Sequence, residues 1–483
     1  MSSAEDSLRR LAKVADCIIG GTIFLCVAVL LYYIYYYNWT QQRYFASPVG
    51  SILYYILPAA LAGLLLVSLL VSLWLRPRCR INLALVLTSI AISLYTIELV
   101  LAFFISSEEV RIAKEFGIDF DVRSPLKVIF DLQKQHISAV PDVFPQALLE
   151  RQADGTRKSK ITVNGTEILP LGGIANRTTI FCNDGGKYVI YESDEHGFHN
   201  PIGIWNAGYI DVVAVGDSFV QGSCVPSDQN FVALVRKRYP LTLNLGKMGN
   251  GPLTELATLK EYLPSLKPKV VLWFYFEGND YRDLRRERDA ALLTFYLSDN
   301  FTQRLLNRQT DIDQVLMASI ERWSKTTISK RRLEKITTSF KMGHLRSRLG
   351  FSTRELRDAR ALNLDPSLDL DLFGRILMQA QALVQSWHGM FYFVYLPERA
   401  RYTSLEIANK DRDRVLTLVR TIGMPIIDIH PVFQAYRDPL ALFPFRRKVH
   451  YNEEGHRLVA EEVLRSAIRY SKARSFTIDG VAY

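Results

Sequence analysis

The chain reads as an α/β protein with a doubly wound parallel sheet, preceded by an N-terminal bundle of three transmembrane helices. In its second half, core strands at 212–215, 242–245, 270–276, 391–396 and 425–429 alternate with helical patterns such as 253–262, which is the signature of a parallel sheet. At the other end, 17–37, 51–75 and 81–105 are apolar runs long enough to cross a hydrocarbon core. A length of 483 residues with 48 % hydrophobic content leaves room for both parts.

Charge orients the three runs. Arg9, Arg10 and Lys13 precede the first, and Arg76, Arg78 and Arg80 fill the loop between the second and third, whereas the first loop carries Arg43 alone. Basic short loops stay cytoplasmic, so the N-terminus is expected inside and everything after about residue 105 outside. The aromatic stretch 32–39 fits the outer interface of the first span. The expected location is a multi-pass protein of the cell (inner) membrane with an extracytoplasmic C-terminal domain. A cleaved signal peptide fits poorly, because Tyr-rich sequence and two further runs follow the first. Glu98 is the one charge inside a run and reads as an interfacial or partner-paired carboxylate rather than a proton path. The spans also offer a surface for a membrane-protein partner.

Four divisions follow. Residues 1–105 form the anchor, and 106–207 a linker with a small, partly β module, since 160–169 and 187–191 alternate like strands around Asn164-Gly165 and Gly185-Gly186. Residues 208–281 and 368–475 form the α/β domain, and 282–367 interrupt it with a basic helical insertion. The turn-rich stretch 193–201, despite His196 and His199, reads as a structural loop. Of five cysteines only Cys182 and Cys224 lie beyond the spans, which makes them a disulfide candidate in an oxidising compartment. No Cys/His group has zinc-ligand spacing, so no metal is expected. The triplets at Asn38, Asn164, Asn176 and Asn300 are too common by chance to weigh.

The chemistry lies in four signals in a fixed order. Gly216-Asp217-Ser218-Phe219 follows the first core run, so Ser218 would arrive at the carboxyl end of the sheet, where open α/β folds place ligands. Gly249 stands in the glycine-rich stretch 244–251, Asn279 follows the run 270–276, and His450 lies just before the last helix, whose N-cap is Asn452. A hydroxyl nucleophile, N–H donors and an imidazole in that order suit acyl transfer, which needs an oxyanion hole and a general base.

At these residues the chain resembles the SGNH (GDSL-like) hydrolase superfamily. The likeness covers roughly the second half of the chain. It implies a flavodoxin-like sheet of the SGNH type and no cofactor. It makes Ser218 the nucleophile, Ser218 N–H, Gly249 N–H and Asn279 the oxyanion donors, and His450 the base. His456 competes with His450 but falls inside the last helix, where it packs or caps. Two positions depart from the pattern: Glu277 replaces a glycine two before Asn279, and Arg447 stands three before His450, where the family has the aspartate. Arginine only donates hydrogen bonds and cannot orient the imidazole as a carboxylate does. A backbone carbonyl or a remote acid such as Asp428 is expected to replace it.

The resulting expectation is a membrane-anchored extracytoplasmic serine esterase or O-acyltransferase acting on O-acyl groups of a cell-surface glycan. A lipid ester hydrolase at the bilayer surface, or a non-catalytic binding or assembly subunit, are the alternatives. The insertion, with Arg285, Arg286, Arg288, Lys330, Arg331 and Arg332, reads as a lid or an anionic-surface contact on a chain of net charge +10; nucleic acid is excluded by the expected topology. Protease added to intact spheroplasts should digest the C-terminal domain. Protection until the membrane is breached would invert the topology.

Overall fold

The protein is described from a computed structural model that covers residues 2–44, 57–104, 108–340, 342–348, 369–403 and 410–478. It divides into two compact units, 1–106 with 328–367 and 107–327 with 368–483.

In the first unit three helices follow in order: α1 (Ser2–Tyr44), α2 (Leu57–Ser72) and α3 (Pro77–Phe104). By length and composition α1 and α3 can each cross a membrane, over Glu5–Tyr32 and Pro77–Ala102, whereas α2 is a shorter apolar helix. The start of the expected second span, 51–56, lies outside the described residues. Apolar side chains point outward, Phe24 at 75 % and Leu64 at 67 % exposure, while Ile19, Cys26 and Leu69 form a small interior cluster. Such outward apolar surface suits a non-aqueous neighbour. Asp16 of α1 pairs with Arg80 of α3 at 2.7 Å. Glu98 is fully buried and accepts from His344 Nδ1–H at 2.8 Å and from the amides of His344 and Leu345 at 3.1 and 2.8 Å. Its partner is therefore the short helix Gly343–Arg348 of the same unit, and the charge has three donors.

The second unit opens with α4 (Glu108–Glu115) and a helix over Pro125–Gln133. The small module follows. Strands β1 (Ala139–Pro141), β6 (Thr178–Ile180) and β7 (Ile190–Glu192) form one sheet, and β2 (Leu149–Arg151) with β3 (Arg157–Ser159), and β4 (Ile161–Val163) with β5 (Thr166–Ile168), form two hairpins. The β4–β5 turn is Asn164-Gly165, both at positive φ, as a two-residue hairpin turn requires. The loop 193–201 is structural: buried Asp194 accepts from the amides of His196 and Phe198, from Asn200 Nδ2 and from Trp205 Nε1, each at 2.8–2.9 Å.

The main sheet contains β8 (Val212–Val215), β9 (Thr242–Asn244), β10 (Val270–Phe276), β11 (Met390–Leu396) and β12 (Ile426–Asp428) in the order β9-β8-β10-β11-β12, all parallel. That is the 2-1-3-4-5 order of flavodoxin-like folds, and it reverses between β8 and β10. Alternate residues feed two cores. Val213, Val215, Trp273 and Phe393 face α7 (Pro252–Tyr262) and α9 (Leu370–Gln385), while Val212, Ala214, Phe274 and Val394 pack with α6 (Phe231–Arg238) and α10 (Glu453–Ile478). Strands buried on both faces favour apolar side chains at every position, which is why the runs of β8, β10 and β11 are continuous.

The basic insertion is not one piece. Leu284 of α8 (Asp280–Glu287), together with Leu293, Tyr296, Leu305, Ile312 and Leu316, joins the core of the second unit, whereas 328–367 belongs to the first. The helix Gln309–Phe340 runs through that boundary. The side chains of Arg331 and Arg332, and residues 349–368, lie outside the described set.

Candidate active site

Ser218 opens a four-residue helix, α5 (Ser218–Gln221), directly after β8, with Asp217 as N-cap accepting from Phe219 N–H at 2.9 Å. As the first helical residue, Ser218 has an N–H without an intrahelical partner. The turn is tight. A Cβ on Gly216 would come within 2.5 Å of Val220 Cγ2, and one on Gly246 within 2.5 Å of the Gln221 amide nitrogen.

The Ser218 hydroxyl lies 2.9 Å from His450 Nε2, although 232 residues separate them. His450 Nδ1 lies 2.7 Å from Asp184 Oδ2. A carboxylate accepts only, so Nδ1 carries the proton and Nε2 is left to accept from Ser218. The carboxylate that meets the imidazole is thus Asp184 and not the expected Asp428. Asp428 is held by the Arg412 guanidinium and accepts from His430 N–H at 3.0 Å, so its charge is spent at the end of β12. Burial alone would raise the Asp184 carboxyl, but its hydrogen bond to His450, the charge of that ring and nearby Lys448 outweigh it and hold it below the ordinary carboxylate value. His456 is the structural histidine. It is fully buried, accepts from Phe231 N–H at 3.2 Å, faces Ser223 O at 3.3 Å, and burial pushes its pKa down to about 3.

Asp184 comes from the small module, two residues after Cys182, whose sulfur is bonded to that of Cys224 just beyond α5. The crosslink joins the loop of Asp184 to the loop after Ser218. That pairing was the available clue, because a bond between the two cysteines beyond the apolar runs brings Asn183 and Asp184 beside Ser218.

Gly249 has φ +71, a conformation that favours glycine, and its neighbours are tied to the nucleophile's turn. Met248 N–H donates to Gln221 Oε1 at 2.7 Å and Asn250 Nδ2 to Gly216 O at 3.4 Å. Asn244 Nδ2 donates to Val220 O at 2.7 Å, and buried Lys247 pairs with Asp142 at 2.6 Å, so the whole loop is braced by residues the sequence did not single out. Asn279 donates from Nδ2 to Asp283 Oδ2 at 2.9 Å and lies beside Asp217. Glu277 accepts from Arg401 Nε at 2.8 Å, from Glu398 N–H at 2.7 Å and from Tyr395 O–H, fixing the exit of β11.

Beneath Asn279 lie five buried carboxyl groups: Asp217, Glu255, Asp280, Asp283 and Glu287. Both oxygens of Glu255 and one each of Asp217 and Asp280 have no hydrogen-bond partner. Burial pushes Asp217 up to about 6 and Glu287 to about 7, and burial with like charge raises Glu255 and Asp280 well above their usual range. Among the described residues only Asp184, Cys224 and His450 approach a metal-ligand grouping, and there the sulfur is in the disulfide and the other two share a hydrogen bond.

Ser218, His450 and Asp184 thus form a connected hydroxyl–imidazole–carboxylate arrangement. No family model and no curated protein matches the chain. Solved structures do match. A lipolytic protein of the G-D-S-L family from Veillonella parvula is 12 % identical, covering 53 % of this chain and 97 % of its own, with a TM-score of 0.29. The lipase/acylhydrolase from Enterococcus faecalis is 12 % identical over 53 % of this chain and 94 % of its own, at 0.30. A two-domain esterase active on acetylated mannans is 12 % identical over 55 % of this chain and 50 % of its own, also at 0.30. At these identities and TM-scores the likeness carries no weight on activity.

Ser218→Ala and His450→Ala should each lower turnover of an activated ester by at least about 10⁴-fold, and Asp184→Asn by up to about 10⁴-fold. Asp428→Asn should leave it unchanged, and His456→Ala should lower the melting temperature rather than kcat. Loss of activity in Asp428→Asn with retention in Asp184→Asn would reverse the assignment of the acid.

The carboxyl cluster makes a second prediction. Where the folded pKa of an acid is raised, its stabilising contribution is complete below the unfolded pKa and is lost as pH rises through the folded one, here about 6 for Asp217 and about 7 for Glu287. Buried His199 and His456, held neutral to about 4 and about 3, act oppositely, so the difference between variant and wild type is the clean measure. Glu255→Gln should melt higher than wild type at pH 8, by about 2–4 °C for each kcal/mol recovered, and show no gain at pH 4. An equal shift at both pH values would mean that Glu255 titrates alike in the folded and unfolded states.

Proposed function

We propose that the chain is a serine ester hydrolase or O-acyltransferase of the SGNH type, held at a membrane by its apolar N-terminal helices, with an extracytoplasmic active site. The observation that carries this reading is the continuous Ser218–His450–Asp184 relay, at 2.9 and 2.7 Å, at the carboxyl end of a parallel sheet. In the first step Ser218 Oγ attacks the ester carbonyl while its proton passes to His450 Nε2. The oxyanion is held by the N–H groups of Ser218 and Gly249 and by an Asn279 amide N–H, with Asp283 orienting that amide. Collapse breaks the bond to the alkoxide, which leaves with the proton from His450, and an acyl-serine remains. Water or an acceptor hydroxyl then gives its proton to His450 and attacks the acyl carbon, and on collapse the bond to Ser218 Oγ breaks as His450 Nε2 returns that proton to it.

The substrate class we favour is an O-acyl group on a cell-surface glycan. Partly exposed Asn279 brings a polar amide to the oxyanion side, which suits a hydroxyl-rich acceptor better than a hydrocarbon chain. The non-catalytic reading drew on the arginine at 447, and the approach of Asp184 to His450 removes that support.

Intact membranes treated with a serine-reactive fluorophosphonate should label the wild-type chain, and Ser218→Ala should abolish the label. Absence of label from both would sink the enzyme reading.

A further inference from the structure

The segment 108–123 follows the third apolar helix in sequence and looks like a tether, yet it contacts both loops that hold the catalytic pair. On the acid side, Asn183 Nδ2 donates to Asp121 O at 2.9 Å, Asp121 N–H donates to Gly186 O at 2.8 Å, and Tyr188 O–H donates to Arg123 O at 2.8 Å. Gly186, at φ +103, lies so close that a Cβ there would come within 2.7 Å of Ile118 Cγ2. Asp184 is thus bracketed in sequence by residues bonded to this segment.

On the base side, Ile112, Ala113 and Phe120 cluster with Phe445, and the Phe116 ring meets the Phe445 ring edge-on at 5.6 Å. Phe445 and Arg446 have φ of 54 and 58, a conformation costly for residues other than glycine, and they lie in the loop that ends at His450. Strained backbone persists where its surroundings over-determine it, and the rings of Phe116 and Phe120 are part of those surroundings. A cavity of about 300 Å³ lies where the acid loop, the base loop and the segment meet, lined by Phe116, Ile118, Gly185, Cys224, Phe445 and Glu453. It leaves the acid loop room to shift once the contacts are lost.

We propose that residues 108–123 are a positioning element for the Asp184–His450 pair, so that the stretch leading from the apolar helices is also a working part of the catalytic centre. The inference rests on the hydrolase reading above. None of these residues touches Ser218 or substrate; they act through where the carboxylate and imidazole stand. A displacement of about 1 Å at such a pair is enough for about 10²-fold in rate.

The test uses the full chain in detergent with p-nitrophenyl acetate, comparing Asn183→Ala, Ile118→Ala and Phe116→Ala, each alone and combined with Asp184→Asn. Alone, each should lower kcat by about 10- to 100-fold with KM unchanged, and should move the acid limb of the pH–rate profile the way Asp184→Asn moves it. In the Asp184→Asn background the same substitutions should cost nothing further, because the acid they position is gone. Ile118→Val should restore most of the rate. If Phe116→Ala does not fold, Asn183→Ala, which removes one amide group, decides alone. Wild-type kcat in the single variants, or equal losses in both backgrounds, would overturn the proposal. A wild-type chain that labels at Ser218 while the variants are indifferent removes this inference alone, whereas a wild type that neither labels nor turns over removes the hydrolase reading and this inference with it.

Discussion

The hydrogen bond between His450 and Asp184 spans 266 residues, and much of the second unit is arranged to keep it. The imidazole belongs to the loop ahead of the last helix of the main sheet, while the carboxylate belongs to a small module that precedes the first strand. Two separately built pieces must therefore register to within a few tenths of an ångström. Three cross-links do this: the Cys182–Cys224 bond, the buried Lys247–Asp142 pair, and Gln221, which donates to Tyr191 of the module while accepting from the Met248 amide. Removing one partner of a buried ion pair typically costs about 3–5 kcal/mol, because the other charge is left without compensation.

The buried acids under Asn279 pose an electrostatic problem for any site that stabilises an oxyanion. Five ionised carboxylates there would repel the developing charge across a medium of low dielectric. Burial eases the conflict by favouring neutral forms, most strongly at Glu255 and Asp280, which it raises together with like charge well above their usual range. The orphaned oxygens of Glu255 fit a group that is not asked to carry charge.

The sheet was legible because strands buried on both faces favour apolar side chains at every position, and β8 to β12 fall within a residue or two of the runs that announced them. Ser218, Gly249 and Asn279 were legible because each follows such a run, and His450 because it stands just ahead of the last helix. Asp184 was not, since a side chain recruited from another module leaves no periodic trace, and Asp428 looked better placed in sequence. What disqualifies Asp428 is Arg412, a helix residue whose reach is a three-dimensional fact. The carboxyl cluster was hidden for a similar reason. Asp280, Asp283 and Glu255 each stand in the first turn of a helix, where acids are ordinary, and only folding stacks them together. At the N-terminus composition showed three apolar runs, but the middle one forms a helix of 16 residues among those described.

The Cys182–Cys224 crosslink sets a schedule as well as a geometry. In a reducing compartment the two thiols stay apart, and the loop bearing Asp184 has only hydrogen bonds and side-chain packing to hold it. On the hydrolase reading proposed above, a newly made chain would then carry Ser218 and His450 with a loosely held Asp184, and would gain full competence only once oxidised. Such latency would spare the esters of the cell that makes the protein and confine hydrolysis to the compartment where the bond can form.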